Sequence, residues 1–177
     1  KRAPYFFDRN QYGGILCDIG SHQVEQFLFF TGSDDAEIVS ATVANRGNPQ
    51  HPGLQDVGDL HIRGRDATGY VRVDWYTPKG LGTWGDGRLT ILGTDGYIEL
   101  RKYIDIGGRP GGDHLFLVDG KNLQHIDCQT EELPYGPRLI QDILNRTETA
   151  MSQQHCFLAT ELALKAEAMA VRLGGLK

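Results

Sequence analysis

Asp18 and His22 stand four residues apart in the segment Tyr12-Gly13-Gly14-Ile15-Leu16-Cys17-Asp18-Ile19-Gly20-Ser21-His22. Four residues make one helical turn, so a carboxylate and an imidazole at this spacing share one helix face, roughly 6 Å apart, within reach of one substrate. That is the geometry of a proton-transfer pair. Histidine suits it because its ordinary pKa of about 6.5 permits proton exchange around neutral pH. A plainer reading puts Asp18 in the first turn for its favourable interaction with the helix dipole and leaves His22 an ordinary half-buried histidine. Spacing alone favours the plainer reading, because polar i,i+4 pairs are common on helices.

The pair has to be carried by a helix, and the pattern supplies one from Gly14 to about Phe30, with Ile15, Ile19, Phe27 and Phe30 as apolar positions and Gly32 as the stop. Residues 1–12 read as a leading loop. Residues 37–43 are rich in β-branched side chains and suit a strand. A long loop follows over 46–56. Residues 59–63 and 70–76 alternate polar and apolar side chains around a turn at 64–69, the pattern of a hairpin with one apolar face. Two more hairpins are expected, 88–92 with 97–100 and 115–118 with 122–126, the last around Asp119-Gly120. After Pro134 the period becomes helical: Leu139, Ile140, Ile143 and Leu144 mark one helix, and Leu158, Leu162, Ala166, Met169 and Leu173 another. The expected fold is α+β, one domain over 1–177, with a largely antiparallel open sheet, helices on one face and the other face available for oligomerisation.

Other residues could line a substrate. Gly80-Leu81-Gly82-Thr83-Trp84-Gly85 is a literal G-x-G-x-x-G, but it runs into another strand where a dinucleotide cradle must open a helix. It is rejected as a cofactor site. The loop could instead bring Trp84 and Lys79 over a sugar ring, since indole faces pack on apolar ring surfaces, or it could be a simple connection. Arg109 and His114 are polar candidates in the glycine-dense stretch 106–114, which could equally be a long turn; His51 reads as a solvent-exposed loop residue. Cys17, Cys128 and Cys156 are odd in number and lack C-x-x-C spacing, so no disulfide framework or zinc site is expected and a reducing, cytoplasmic setting is the default. No metal is predicted. A net charge of −5 gives no electrostatic reason to expect nucleic acid, and no apolar run nears the roughly 18 residues that cross a bilayer.

Gly13, Gly14, Asp18 and His22, read as G-G-x-x-x-D-x-x-x-H, resemble the signature of the C-terminal domain in the glucose-fructose oxidoreductase / inositol dehydrogenase (Gfo/Idh/MocA) family. Residues 92–100, Leu-Gly-Thr-Asp-Gly-Tyr-Ile-Glu-Leu, resemble that family's G-T-[DE]-G-x-[IL]-E hairpin, and residues 158–170 its closing helix. The three segments keep the family's order over nearly the whole chain. The resemblance reverses the odds on the pair: it implies His22 as the acid/base for a sugar or polyol hydroxyl and Asp18 as the group that positions the hydroxyl or tunes the imidazole. Tyr12, Lys79, Trp84 and Arg109 are then the candidates for substrate contact. It also implies an N-terminal nucleotide-binding domain of the Rossmann type, absent here, that supplies a catalytic lysine and holds NAD or NADP. The chain opens at Lys1 on what reads as a loop entered from upstream, so an excised piece is expected, binding no cofactor and catalytically inert alone. Rival readings are a non-catalytic dimerisation module, with Val71, Val73 and Trp75 set against Tyr70, Arg72 and Asp74 as its candidate face, and a relative that uses transient oxidation to cleave glycosides or eliminate groups.

Overall fold

The computed structural model describes residues 3–174. Their contacts cluster in two compact units, one reaching Tyr76 and resuming at Tyr135, the other Thr77–Pro134.

In the first unit the expected helix is present, with a difference at its start. After a 3-10 turn, Pro4–Phe7, and a single helical turn, α1 (Arg9–Tyr12), where a loop is expected, Gly13 and Gly14 turn the chain at φ 82° and 100°. Asp8 caps α1 by accepting the Asn10 N–H at 3.0 Å. The helix then opens as a π-turn, Leu16–Gly20, and continues as α2 (Ser21–Thr31). Gly32 ends it in the left-handed conformation. Strands β1 (Ala36–Ala44), β2 (Val57–Gly64) and β3 (Thr68–Asp74) form an antiparallel meander. The closing helix α4 (Gln153–Met169), capped by Ser152, leads to a short strand β8 (Val171–Arg172) that pairs in parallel with β1, giving the order β3-β2-β1-β8.

The period-2 pattern decides which sheet face is inside. Ala41, Val43, Leu60, Ile62, Val71 and Val73 pack under Ile15, Leu16, Val24 and Leu28 of the first helix and Ala159, Leu162 and Ala166 of α4. Each fully buried Leu or Ile contributes about 1.5–3 kcal/mol, so the helices are held by this face rather than by their own propensity. The π-turn comes unusually close to the sheet: a Cβ on Gly58 of β2 would lie 2.7 Å from the Ile15 side chain and 2.9 Å from Leu16. Val71 and Val73, with Trp75 packed beside them, are thus covered within the unit and offer nothing to a partner. The opposite face is polar, with Thr42 donating to Asp59 at 2.8 Å and Tyr70 exposed beside His61.

Helix α3 (Tyr135–Asn145) is present where expected, but its apolar stripe points outward. Leu139, Ile140, Ile143 and Leu144 are exposed, Leu144 at 70%, while the buried residue is Asp142. Its carboxylate accepts the Thr147 and Thr149 hydroxyls and the Thr149 and Ala150 N–H groups, tying the α3–α4 connection to the helix.

The remaining two hairpins form a sheet of their own in the second unit, where the sequence reading has a single sheet. Strands β4 (Arg88–Gly93), β5 (Gly96–Arg101), β6 (His114–Asp119) and β7 (Leu123–Asp127) pair antiparallel in chain order. The register places Leu89, Leu100, Leu115 and Ile126 in one row and Ile91, Ile98 and Leu117 in the next on the same face. This unit holds no helix beyond the 3-10 turn Lys79–Leu81, so that apolar face has no cover of its own.

Three buried carboxylates organise the loops. Burial alone would raise Asp56, yet hydrogen bonds from Tyr76, the Arg46 N–H, Asn48 and the Gly47 N–H outweigh it and hold its pKa below the usual range. The Gly107 N–H, against the opposing effect of burial and with Arg101 and Arg109 adding to it, holds Asp105 well below that range; Thr147 and the Ala150 and Thr149 N–H groups do so for Asp142. Groups depressed in the folded state contribute stability above their unfolded pKa, about 3.9, and lose it as pH falls through the folded value. Urea midpoints should therefore decline from about pH 4 downward. An Asp142→Asn variant should be less stable than the parent at pH 7 and show a shallower acid decline; parallel curves for the two proteins would contradict this.

Candidate active site

A helix that starts after two glycines has no side-chain cap of its own, and its first N–H groups are orphans. Two residues distant in sequence supply the acceptors. The Ile15 N–H donates to Gln55 Oε1 at 2.7 Å, and the Leu16 N–H donates to Glu167 Oε2 at 3.3 Å. Glu167 comes from α4, and its carboxylate lies directly over Gly14, where a Cβ would overlap it. Its side chain is 6% exposed, with Arg9 Nη2 at 2.7 Å and Gln55 Nε2 at 2.6 Å on Oε1. The second glycine of the motif is therefore required twice over, for its positive φ and for the space the carboxylate occupies.

Beyond these caps the π-turn carries Cys17 and Asp18, and the first turn of α2 carries His22. Hydrogen bonding from i to i+5 fits more residues into a turn than an α-helix does, so residues four apart across this junction fall nearly in line along the axis. Asp18 is half-buried and His22 exposed, so both can meet solvent or substrate. The Asp18 N–H is held by Gly14 O at 2.9 Å, which ties the aspartate's backbone to the glycine under Glu167.

Tyr12 is buried below the turn. Its hydroxyl donates to the Gln55 carbonyl at 3.2 Å and accepts from the Gln55 N–H at 2.9 Å. Burial pushes its phenol up to about 12, the Gln55 hydrogen bond opposes this, and the Glu167 and Asp18 charges raise it while Arg9 lowers it. It stays protonated at neutral pH. Cys17 is likewise raised by burial, with Glu167 adding to the effect, and its thiol sits 3.7 Å from Ala163 O, so it packs rather than reacts.

The other expected contacts lie on the second unit. Lys79 is exposed in the 3-10 turn, and Trp84 is 73% exposed with its ring 5.3 Å from Tyr103. Arg109 is engaged by Asp105 at 3.2 Å and lies over the Phe116 ring. Residues 80–85 form turn and loop leading to β4, not a helix N-terminus, so they do not fit a pyrophosphate. A cavity of about 670 Å3 lies at the far end of α2, lined by residues 30–37 and 63–67, away from Asp18 and His22. Among the described residues no group of three or more His, Cys, Asp or Glu could hold a metal, and no helix is long and apolar enough to cross a membrane.

Sequence reasoning missed Arg9, Gln55 and Glu167. A signal existed for the last: Ala159, Ala163 and Glu167 repeat every four residues, placing an acid at the end of a buried small-residue stripe.

Residues 1–99 match the family model described as the GFO/IDH/MocA C-terminal domain. No curated protein matches the chain. Among solved structures, one named as an oxidoreductase from Erwinia carotovora atroseptica SCRI1043 is 47% identical over 98% of this chain and 54% of its own, with a TM-score of 0.94. Another, from Thermotoga maritima, is 24% identical with a TM-score of 0.82, covering 96% of this chain and 49% of its own. A 3-ketoreductase from Actinomadura kijaniata, solved with TDP-benzene and NADP, shares the fold at 14% identity and a TM-score of 0.63, over 90% of this chain and 48% of its own. The chain spans about half the length of each.

Gly14→Ala should lower stability by about 2 kcal/mol or more, because a side chain would be strained at φ 100° and would displace a buried, paired carboxylate. Urea denaturation checks this, and a loss below about 0.5 kcal/mol would show that the Glu167 contact is not built as described.

Proposed function

Because the chain belongs to the GFO/IDH/MocA family, as its C-terminal domain, we propose that it is the substrate-binding half of an NAD(P)-dependent oxidoreductase acting on a sugar, polyol or related hydroxy compound. The observation that supports this reading is the turn itself: a half-buried carboxylate and an exposed imidazole, four residues apart across a π-to-α junction that two distant side chains cap. π-turns of this kind recur at functional sites because they re-aim side chains at the expense of regular bonding.

In the oxidative direction His22 accepts the hydroxyl proton as the carbon–hydrogen bond breaks, and Asp18 orients the hydroxyl or the ring. A nicotinamide cofactor would supply the hydride chemistry when bound, and the nucleotide-binding domain that the family implies would hold it. The outward apolar residues of α3 are consistent with a covering domain, as exposed patches of this kind commonly mark interfaces. Tyr12 supports the turn from below through its paired hydrogen bonds with the Gln55 backbone. In the full-length protein His22→Ala should reduce turnover about a hundredfold or more while NAD(P) affinity stays unchanged, measured by steady-state rates and cofactor titration. An undiminished rate would remove the assigned role.

A second reading coexists with the first: the domain forms homo-oligomers through the β4–β7 sheet. The apolar rows through Leu89, Leu100 and Leu115 and through Ile91, Ile98 and Leu117 favour it, since a second copy would give that face the cover its unit lacks. Light scattering should find an assembly that Leu117→Asp converts to monomer, and a parent protein monomeric at high concentration would exclude it.

A further inference from the structure

We propose that Glu167 is the positioning residue of this site: its carboxylate, seated on Gly14, fixes the turn that carries Asp18 against the helix that carries His22. This rests on the reading of Asp18 and His22 as the working pair.

Three donors from three elements converge on Glu167. The Leu16 N–H comes from the π-turn, the Gln55 amide from the loop before β2, and the Arg9 guanidinium from α1. Gln55 then passes the constraint on by accepting the Ile15 N–H through its other side-chain atom, and by clasping the Tyr12 hydroxyl with its backbone. A carboxylate has two oxygens and no donor, so it can serve all three groups; a neutral amide in the same place must turn an NH2 toward at least one of them. The distance along the chain matters as much as the chemistry. Leu16 and Glu167 are 151 positions apart, so the bond fastens the start of the site-bearing helix to the end of the closing helix. Asp18 follows because its own N–H is bonded to the carbonyl of Gly14, the residue that Glu167 covers. His22 stands one turn further on, in a helix already fixed by Val24 and Leu28 in the core. Glu167 thereby controls one partner of the pair and leaves the other in place.

The test uses amide exchange and NMR on the full-length protein with Glu167→Ala, and Glu167→Gln as the gentler change should the first not fold. The expected result is exchange at Leu16 and Asp18 faster by about tenfold, with Leu60 and Val71 unchanged within about twofold. The His22 ring resonance at fixed pH should move both in the Glu167 variants and in Asp18→Asn, and stay fixed in Glu161→Ala, whose carboxylate pairs with exposed Lys165. Uniform acceleration across the sheet would show a general stabiliser and overturn the proposal, as would an unmoved His22 signal. The readout is conformational, so loss of the oxidoreductase reading through an active His22→Ala enzyme would be seen separately from failure here.

Discussion

A buried negative charge resting on a glycine holds together the start of the helix that carries Asp18 and His22. Removing a carboxylate from water costs several kcal/mol unless it is paired and fully hydrogen-bonded, and Glu167 meets both conditions through Arg9, Gln55 and the Leu16 N–H. The reverse dependence is equally strong. A helix entered through Gly13-Gly14 has no local cap, and without acceptors from elsewhere its first turn would expose orphan donors inside the protein. The charge and the helix start solve each other's problem, and Gly58 admits the resulting turn close to the sheet.

The two sides of the pair are built on different terms. His22 belongs to a regular α-helix whose inner face is packed on β1–β3. Asp18 belongs to a wider turn whose geometry is maintained by side chains from α4 and from the loop before β2. In the proposed roles, the base is anchored by core packing and the orienting group by the distant cap.

Much of this was readable in the sequence because the signals are local. Gly32 as a stop, Asp119-Gly120 as a turn and the alternation through Val71 and Val73 each follow from the backbone preferences of a few neighbouring residues, and each holds. The Asp18–His22 spacing was legible for the same reason. Hidden from it were the contacts between distant residues. Nothing near Gly14 announces that Glu167 will lie on it, nothing in 46–56 marks Gln55 as a cap, and the apolar stripe of α3 has the same period whether it faces core or exterior. The split of the hairpins into two sheets escaped likewise, because periodicity gives pairing partners but not which hairpins join edges.

The parallel pairing of β8 with β1 closes the first unit with residues at the opposite end of the chain. During synthesis the ribosome releases α2 and its three-stranded meander long before Glu167 exists, so the turn around Asp18 lacks its cap until α4 follows. Fastening of the turn thus waits for α4 to emerge, and a message cut short before α4 would lack both the carboxylate over Gly14 and the helix that covers Leu60 and Val43.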